Sequence, residues 1–292
     1  MTRPRIDAHQ HFWRPARGDY GWLVPSMTAL YRDFEPADLA PRLDACGIDG
    51  TVAVQAAPTV AETEFLLDLA SSPSSFIRGV VGWIDLGAPD AVTTLDRLAT
   101  NPRLRGIRPM IQDKPDDRWM LRPAHGPALR ALADRGLVFD ALVRPQHLSV
   151  LLTFVDRHPD LRVVVDHGAK PTIVAGGAEF APWAQSMVDL ARRPNVVCKL
   201  SGLVTEASHQ WTVRDLRPFA DVLFETFGTE RVIWGSDWPV LTTVATYEQW
   251  WDATEALVAT LSADERDAVM GGNAVTIYGL APHARSLGSD QA

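Results

Sequence analysis

Short β-rich runs alternate with longer helical ones along the whole chain. Strands are predicted at 5–11, 50–55, 76–84, 104–110, 137–143, 162–167, 196–201 and 231–237. Most are continuous apolar or β-branched runs, the pattern of parallel strands covered on both faces rather than the in–out alternation of a half-exposed sheet. Helical patterns fill the gaps around 36–45, 59–71, 89–99, 126–135, 145–158, 180–193, 213–227 and 247–261, with a last helical stretch near 263–279. Pro36 and Pro145 suit first helical turns, and Gly47, Gly136 and Gly228 suit helix stops. Strands and helices alternating in this way predict an α/β protein, a single-domain (β/α)8 TIM barrel over 1–280 with a frayed tail at 281–292; such barrels typically take about 250 residues. A doubly wound open sheet is the rival, but His-Gln-His stands where a glycine-rich phosphate fingerprint would follow the first strand.

Composition narrows the function classes. With 46% hydrophobic residues the 292-residue chain can bury one large core, and its net charge of -8 without a basic stripe excludes a dedicated nucleic-acid binder. No run approaches the ~18 apolar residues of a membrane helix. The expected partner is therefore a small molecule. The opening MTRPRIDAHQHFW passes into a strand with no apolar leader. Cys46 and Cys198 form neither a disulfide framework nor a metal pattern and are expected to be buried thiols, which fits a reducing cytoplasm. Trp250 and Trp251, on a helix, suit packing or a subunit contact, so homo-oligomerisation stays open.

In a barrel of this kind the chemistry gathers at the C-terminal ends of the strands. The polar residues there are Asp7, His9 and His11 on the first strand, Gln55 on the second, Trp83 and Asp85 on the third and Arg108 on the fourth. Asp140 and Arg144 mark the fifth, Asp166 and His167 the sixth, Lys199 and Ser201 the seventh, Ser236 and Asp237 the eighth. His9 and His11, two apart, point to one face, where two imidazoles can share a metal or an oxyanion. Asp237 can bind metal and accept a proton from water, or cap the next helix. His167 can be a further ligand, a carbonyl polariser or a structural histidine. Arg108 and Lys170 suit a polyhydroxylated or anionic substrate, though Arg108 could equally pair with Asp85 or Asp140. Trp13, Trp83 and Trp238 could wall a sugar-sized pocket. His125, His147, His158 and His283 are expected to be solvated, while His209, after the seventh strand, lies on the active face.

The segments IDAHQHFW, AVQAA, VVGWIDL, LRGIRPMIQD, VVVDHGAKP, VCKLSGLVTEA and WGSDWPV resemble the amidohydrolase superfamily, in particular its sugar-lactone hydrolase branch (L-fuconolactonase and L-rhamnonolactonase). They follow the family order over nearly the whole chain. The resemblance implies hydrolysis of a small aldonolactone such as L-fuconolactone or L-rhamnonolactone, with His9, His11, His167 and Asp237 catalytic and Asp237 the general base. Arg108 and Lys170 would contact the substrate, with Trp83 and Gln55 as further substrate-side candidates. Two-metal relatives carry a bridging lysine or glutamate at the end of the fourth strand and many carry a histidine on the fifth; LRGIRPM and LVFDALV have neither. The expectation is one divalent ion, zinc by preference, on His9, His11 and Asp237, or no metal. Amide hydrolysis or metal-assisted decarboxylation on the same scaffold is the alternative chemistry.

Overall fold

The computed structural model describes residues 4–174 and 176–281. The expected tail, from 282 onward, and His283 with it, lie outside the described residues. Eight parallel strands form one sheet in the order of the chain: β1 (Ile6–Gln10), β2 (Gly50–Val54), β3 (Ile77–Gly82), β4 (Leu104–Ile107), β5 (Val138–Ala141), β6 (Val163–Val165), β7 (Val196–Leu200) and β8 (Val232–Trp234). They alternate with α1 (Pro36–Cys46), α2 (Val60–Ala70), α3 (Ala91–Ala99), α4 (Gly126–Asp134), α5 (Leu148–Arg157), α6 (Phe180–Ala191), α7 (Val213–Phe227) and α8 (Tyr247–Val258). The single-domain barrel closes between β8 and β1 through two backbone bonds, Asp237 N to His9 O and His11 N to Trp238 O, each 2.7 Å. The seam of the barrel is thus made by the candidate catalytic residues themselves.

Most predicted elements are present, with shorter strands. The eighth ends at Trp234 because the chain bends out of extended geometry before Asp237, whose φ is +61°. The last helical stretch splits into α9 (Ala263–Asp267), a π turn (Ala268–Gly272) and α10 (Asn273–Ile277).

The apolar residues form two layers. The larger lies between sheet and helices. The smaller fills the barrel, where Val54, Val81, Val138, Val164 and Val197 meet Ala274 and Tyr278 from the α10 segment; Gly271, in the π turn before it, packs against Pro4–Ile6 at the start of β1. That plugs the end opposite the catalytic one, each fully buried valine contributing roughly 1.5–3 kcal/mol over an exposed one. Trp250 and Trp251 pack inside the chain, the first donating Nε1–H to Gly235 O at 3.0 Å. Cys46 and Cys198 are both free and buried. Among the described residues no helix is long and apolar enough to cross a membrane.

Candidate active site

The register of β1 against β2 shifts between Asp7 and Gln10, and this shift decides which side chains reach the lumen. Ala8 packs inside the barrel. His9 also reaches inward, to Lys199 and Asp166, and His11 follows it. Asp7 is turned the other way, accepting from Tyr247 Oη (3.0 Å) on α8 and from Ser236 N (2.9 Å). Strict alternation would have put Asp7 with the two histidines.

At the opposite wall the chain leaves β6 through four consecutive left-handed residues: His167 (φ +54°), Gly168 (+58°), Ala169 (+62°) and Lys170 (+52°). Only one is glycine, and each of the others carries a cost of about 1–2 kcal/mol. The turn is held by Trp183 Nε1, which donates to Gly168 O at 2.7 Å, and by a 2.8 Å bond between His167 Nδ1 and Ser201 Oγ. Gly202 (φ +60°) passes so close that a Cβ there would stand 2.5 Å from His167 Nδ1.

These paths converge on Asp237. Its Oδ1 lies 3.3 Å from His11 Nε2, 3.7 Å from His9 Nε2 and 3.8 Å from His167 Nε2, with all four residues buried. The Asp237 side chain faces these rings and makes no helix cap. Beneath them runs a fully buried charge network. Lys199 Nζ lies 2.6 Å from Asp140 Oδ2, 2.9 Å from Asp166 Oδ1 and 3.1 Å from His9 Nδ1. Tyr278 donates to Asp140 at 2.9 Å, tying the network to the α10 plug. Sequence reasoning placed Lys199, Asp140 and Asp166 at strand ends but gave them no joint role; the available signal was one charged residue set in or just after each of three successive apolar strands.

Burial lowers the pKa of all three imidazoles, His167 to about 4, and the Lys199 ammonium adds to the effect on His9. Burial alone would raise the Asp237 carboxyl, but coupling to His167, His11 and His9 holds it well below the usual carboxylate range. Burial pushes Asp140 up to about 6 even beside Lys199. The resting site is therefore an anionic Asp237 facing neutral imidazoles.

That arrangement fits a divalent cation. His11 Nδ1 lies 2.7 Å from Val54 O. A carbonyl only accepts, so Nδ1 carries the hydrogen and Nε2 turns its lone pair on the Asp237 carboxylate. Two acceptors facing each other call for a positive charge between them. The ligand atoms of His9, His167 and Asp237 all lie within 4.8 Å of one another, and two ligands of a tetrahedral ion at about 2.0–2.1 Å stand roughly 3.3 Å apart. Three buried carboxylates (Asp140, Asp166, Asp237) against Lys199 and Arg108 leave one negative charge to be met. The compact triad differs from the expected His9, His11 and Asp237 in including His167, while His11, its ring anchored by the Val54 carbonyl, turns Nε2 on the same Asp237 oxygen.

Other expectations are redistributed. Arg108 borders the pocket, but its guanidinium is committed to Gln55, His9 and Asp166. Four of its five N–H groups go to Gln55 and Asp166 and the fifth points at His9 Nε2, so little of the fork is left for substrate, and its ion-pair partner is Asp166 rather than Asp85 or Asp140. Gln55 is fully buried and serves as the clamp on Arg108. Trp83 does not line this pocket; with Asp85 it borders a separate one beside Trp119 and His125. His125 and His147 are buried, not solvated, and His209 lies at a distant groove.

The reaction pocket, about 180 Å³, has Asp237, His11 and His167 at one end and Lys170 beside them. Trp13 and Trp22 form its aromatic wall, their rings 5.3 Å apart and edge to face. Trp22, whose Nε1 donates to Ala56 O at 2.7 Å, was not singled out in the sequence because it lies in the long β1–α1 loop. Trp238 packs behind, against Phe34. Met110, Leu142 and Val240 complete an apolar rim.

Imidazoles and a carboxylate converging at the catalytic mouth of a parallel barrel define a metal-assisted hydrolase type of centre. The family model described as Amidohydrolase matches residues 6–280, and the chain belongs to that family. It is 46% identical over 278 residues to an L-fucono-1,5-lactonase of Burkholderia ambifaria, covering 94% of this chain and 95% of the relative. Identity to an L-fucono-1,5-lactonase of Burkholderia multivorans is 39%, covering 96% of this chain and 97% of the relative. A crystal structure of an amidohydrolase from Burkholderia multivorans with bound zinc superposes with a TM-score of 0.88 at 37% identity, over 95% of this chain and all of that one.

Proposed function

We propose that this protein hydrolyses a sugar lactone of the L-fucono-1,5-lactone type, opening the ring by attack of water on the ester carbonyl. The observation that carries the reading is the single carboxylate oxygen of Asp237 within 3.3–3.8 Å of three imidazoles, in a pocket walled by two tryptophans. The names of the two relatives supply the substrate class. The ion is zinc, in keeping with the imidazole–carboxylate donor set and with the zinc-bound neighbour. His9, His167 and Asp237 would hold it with the His11 Nε2 lone pair turned on the same point, and a divalent ion there would supply Lewis-acid polarisation of a carbonyl.

The chain's own groups do the rest. Asp237, kept anionic, takes a proton from the attacking water and returns it to the ring oxygen as the C–O bond breaks. Asp166, 3.4 Å from Nδ1, orients the His9 ring with Nε2 toward Asp237, and Val54 O fixes His11. Trp13 and Trp22 cover the apolar face of the sugar, while the Lys170 ammonium meets its hydroxyls. The buried free thiols suit a reducing cytoplasm.

The test is proton release from L-fucono-1,5-lactone in weakly buffered solution, without ammonia or carbon dioxide. Asp237→Asn should lose about 10²–10⁴-fold in turnover while melting as the parent does. Chelation should lower the wild-type rate and added zinc restore it. Full activity in Asp237→Asn refutes the assignment.

A further inference from the structure

Lys170 and Glu206 face one another with hydrogen-bonding capacity unused. Lys170 Nζ lies 3.8 Å from Glu206 Oε1, beyond the ~2.7–3.2 Å of a hydrogen bond, and among the described residues neither side chain has a hydrogen bond. The backbone on both sides of the gap is held. Lys170 N donates to His167 O (2.8 Å) inside the left-handed turn, Glu206 N to Leu203 O (3.1 Å) and Ile173 N to Glu206 O (3.0 Å).

Their position gives the gap a use. Lys170 belongs to the wall of the reaction pocket with Asp237 and His167, and also to a neighbouring groove of about 480 Å³ that holds Glu206, Arg144, Gln146 and Thr172. An ammonium only donates and a carboxylate only accepts, whereas a hydroxyl does both. A hydroxyl oxygen about 2.8 Å from each fits across the separation and turns a long ion contact into two charge-assisted bonds.

We propose that Lys170 and Glu206 jointly bind one hydroxyl of the substrate, making the pair the determinant that selects hydroxylated lactones over plain ones. The inference rests on the lactone reading above. A lactone without that hydroxyl leaves the two charges half-buried and bridged by nothing better than water. Glu206 is the specificity-determining partner, because it supplies the only acceptor of the pair.

The experiment compares L-fucono-1,5-lactone with δ-valerolactone, a six-membered lactone lacking hydroxyls, as substrates of wild type, Glu206→Gln and Glu206→Ala, with thermal melting as the check on folding. The ratio of kcat/KM for the hydroxylated over the plain lactone should fall about 10- to 100-fold in Glu206→Ala, mainly through KM, and by less in Glu206→Gln, whose amide oxygen still accepts. An unchanged ratio overturns the proposal. Calorimetric binding of L-fuconate, the ring-opened acid, to Asp237→Asn protein with and without Glu206→Ala gives a readout free of turnover. Wild type inactive on both lactones sinks the lactone reading, whereas equal L-fuconate affinity with and without Glu206 sinks the subsite.

Discussion

Replacing Gly202 with alanine tests whether the close approach of β7's trailing loop positions His167. The substitution adds one methyl group at a φ of +60°, where the left-handed backbone alone costs about 1–2 kcal/mol. The new Cβ would also stand 2.5 Å from His167 Nδ1 and 2.7 Å from Cγ. Ordinary contact begins near 3.4 Å, so the ring must retreat by about 0.9 Å. The 2.8 Å bond to Ser201 Oγ then breaks and Nε2 turns away from Asp237. A misplacement of about 1 Å at a reacting centre costs on the order of 10²-fold. Gly136→Ala is the matched control, because Gly136 has a φ of +64° and nothing within 4 Å of its added Cβ. Both variants should lose stability in urea unfolding, Gly202→Ala more because of the added clash, but only Gly202→Ala should lose about 10²-fold in kcat for lactone opening. If the two keep equal, near-wild-type kcat, His167 is not held by this contact and its role in the centre is wrong.

Two further outcomes follow from the buried charges. Lys199→Met leaves Asp140 and Asp166, both fully buried, without their shared cation, and should cost about 3–5 kcal/mol in urea unfolding; a loss under about 1 kcal/mol would mean that the network is not charged as described. Burial, with Arg122 nearby, lowers the His125 pKa. Between that depressed value and the ordinary ~6.5 the unfolded chain binds a proton that the folded chain does not, so this stability is present above about pH 6.5 and lost as pH falls. The stability advantage of wild type over His125→Asn should therefore shrink from pH 7.5 to pH 5, and a constant or growing advantage in urea titrations would contradict the burial of a neutral ring.

Much of the fold was legible without coordinates, for a local reason. Continuous Val-rich runs such as Val163–Val165 and helix signals such as Pro36 and Gly47 act over a few residues, and the structure places them as expected. That the strand-end histidines and Asp237 would meet at one mouth was legible too, because successive parallel strands of a barrel end on the same face. Trp83 failed as a pocket residue because the sequence says only that it ends β3, not which side of the 111–125 segment it will face.

The sequence by itself determined the succession of elements and the residue types at each strand end. The tertiary structure decided the roles: that Arg108 is spent on Gln55, that His167 rather than His11 completes the compact triad, and that Lys199 neutralises two aspartates. Element identity follows from short-range backbone and burial preferences, which a linear pattern carries. Roles depend on hydrogen-bond and charge partners from strands far apart in the chain, set by a register shift in β1 and a left-handed turn after β6 that no local pattern announces.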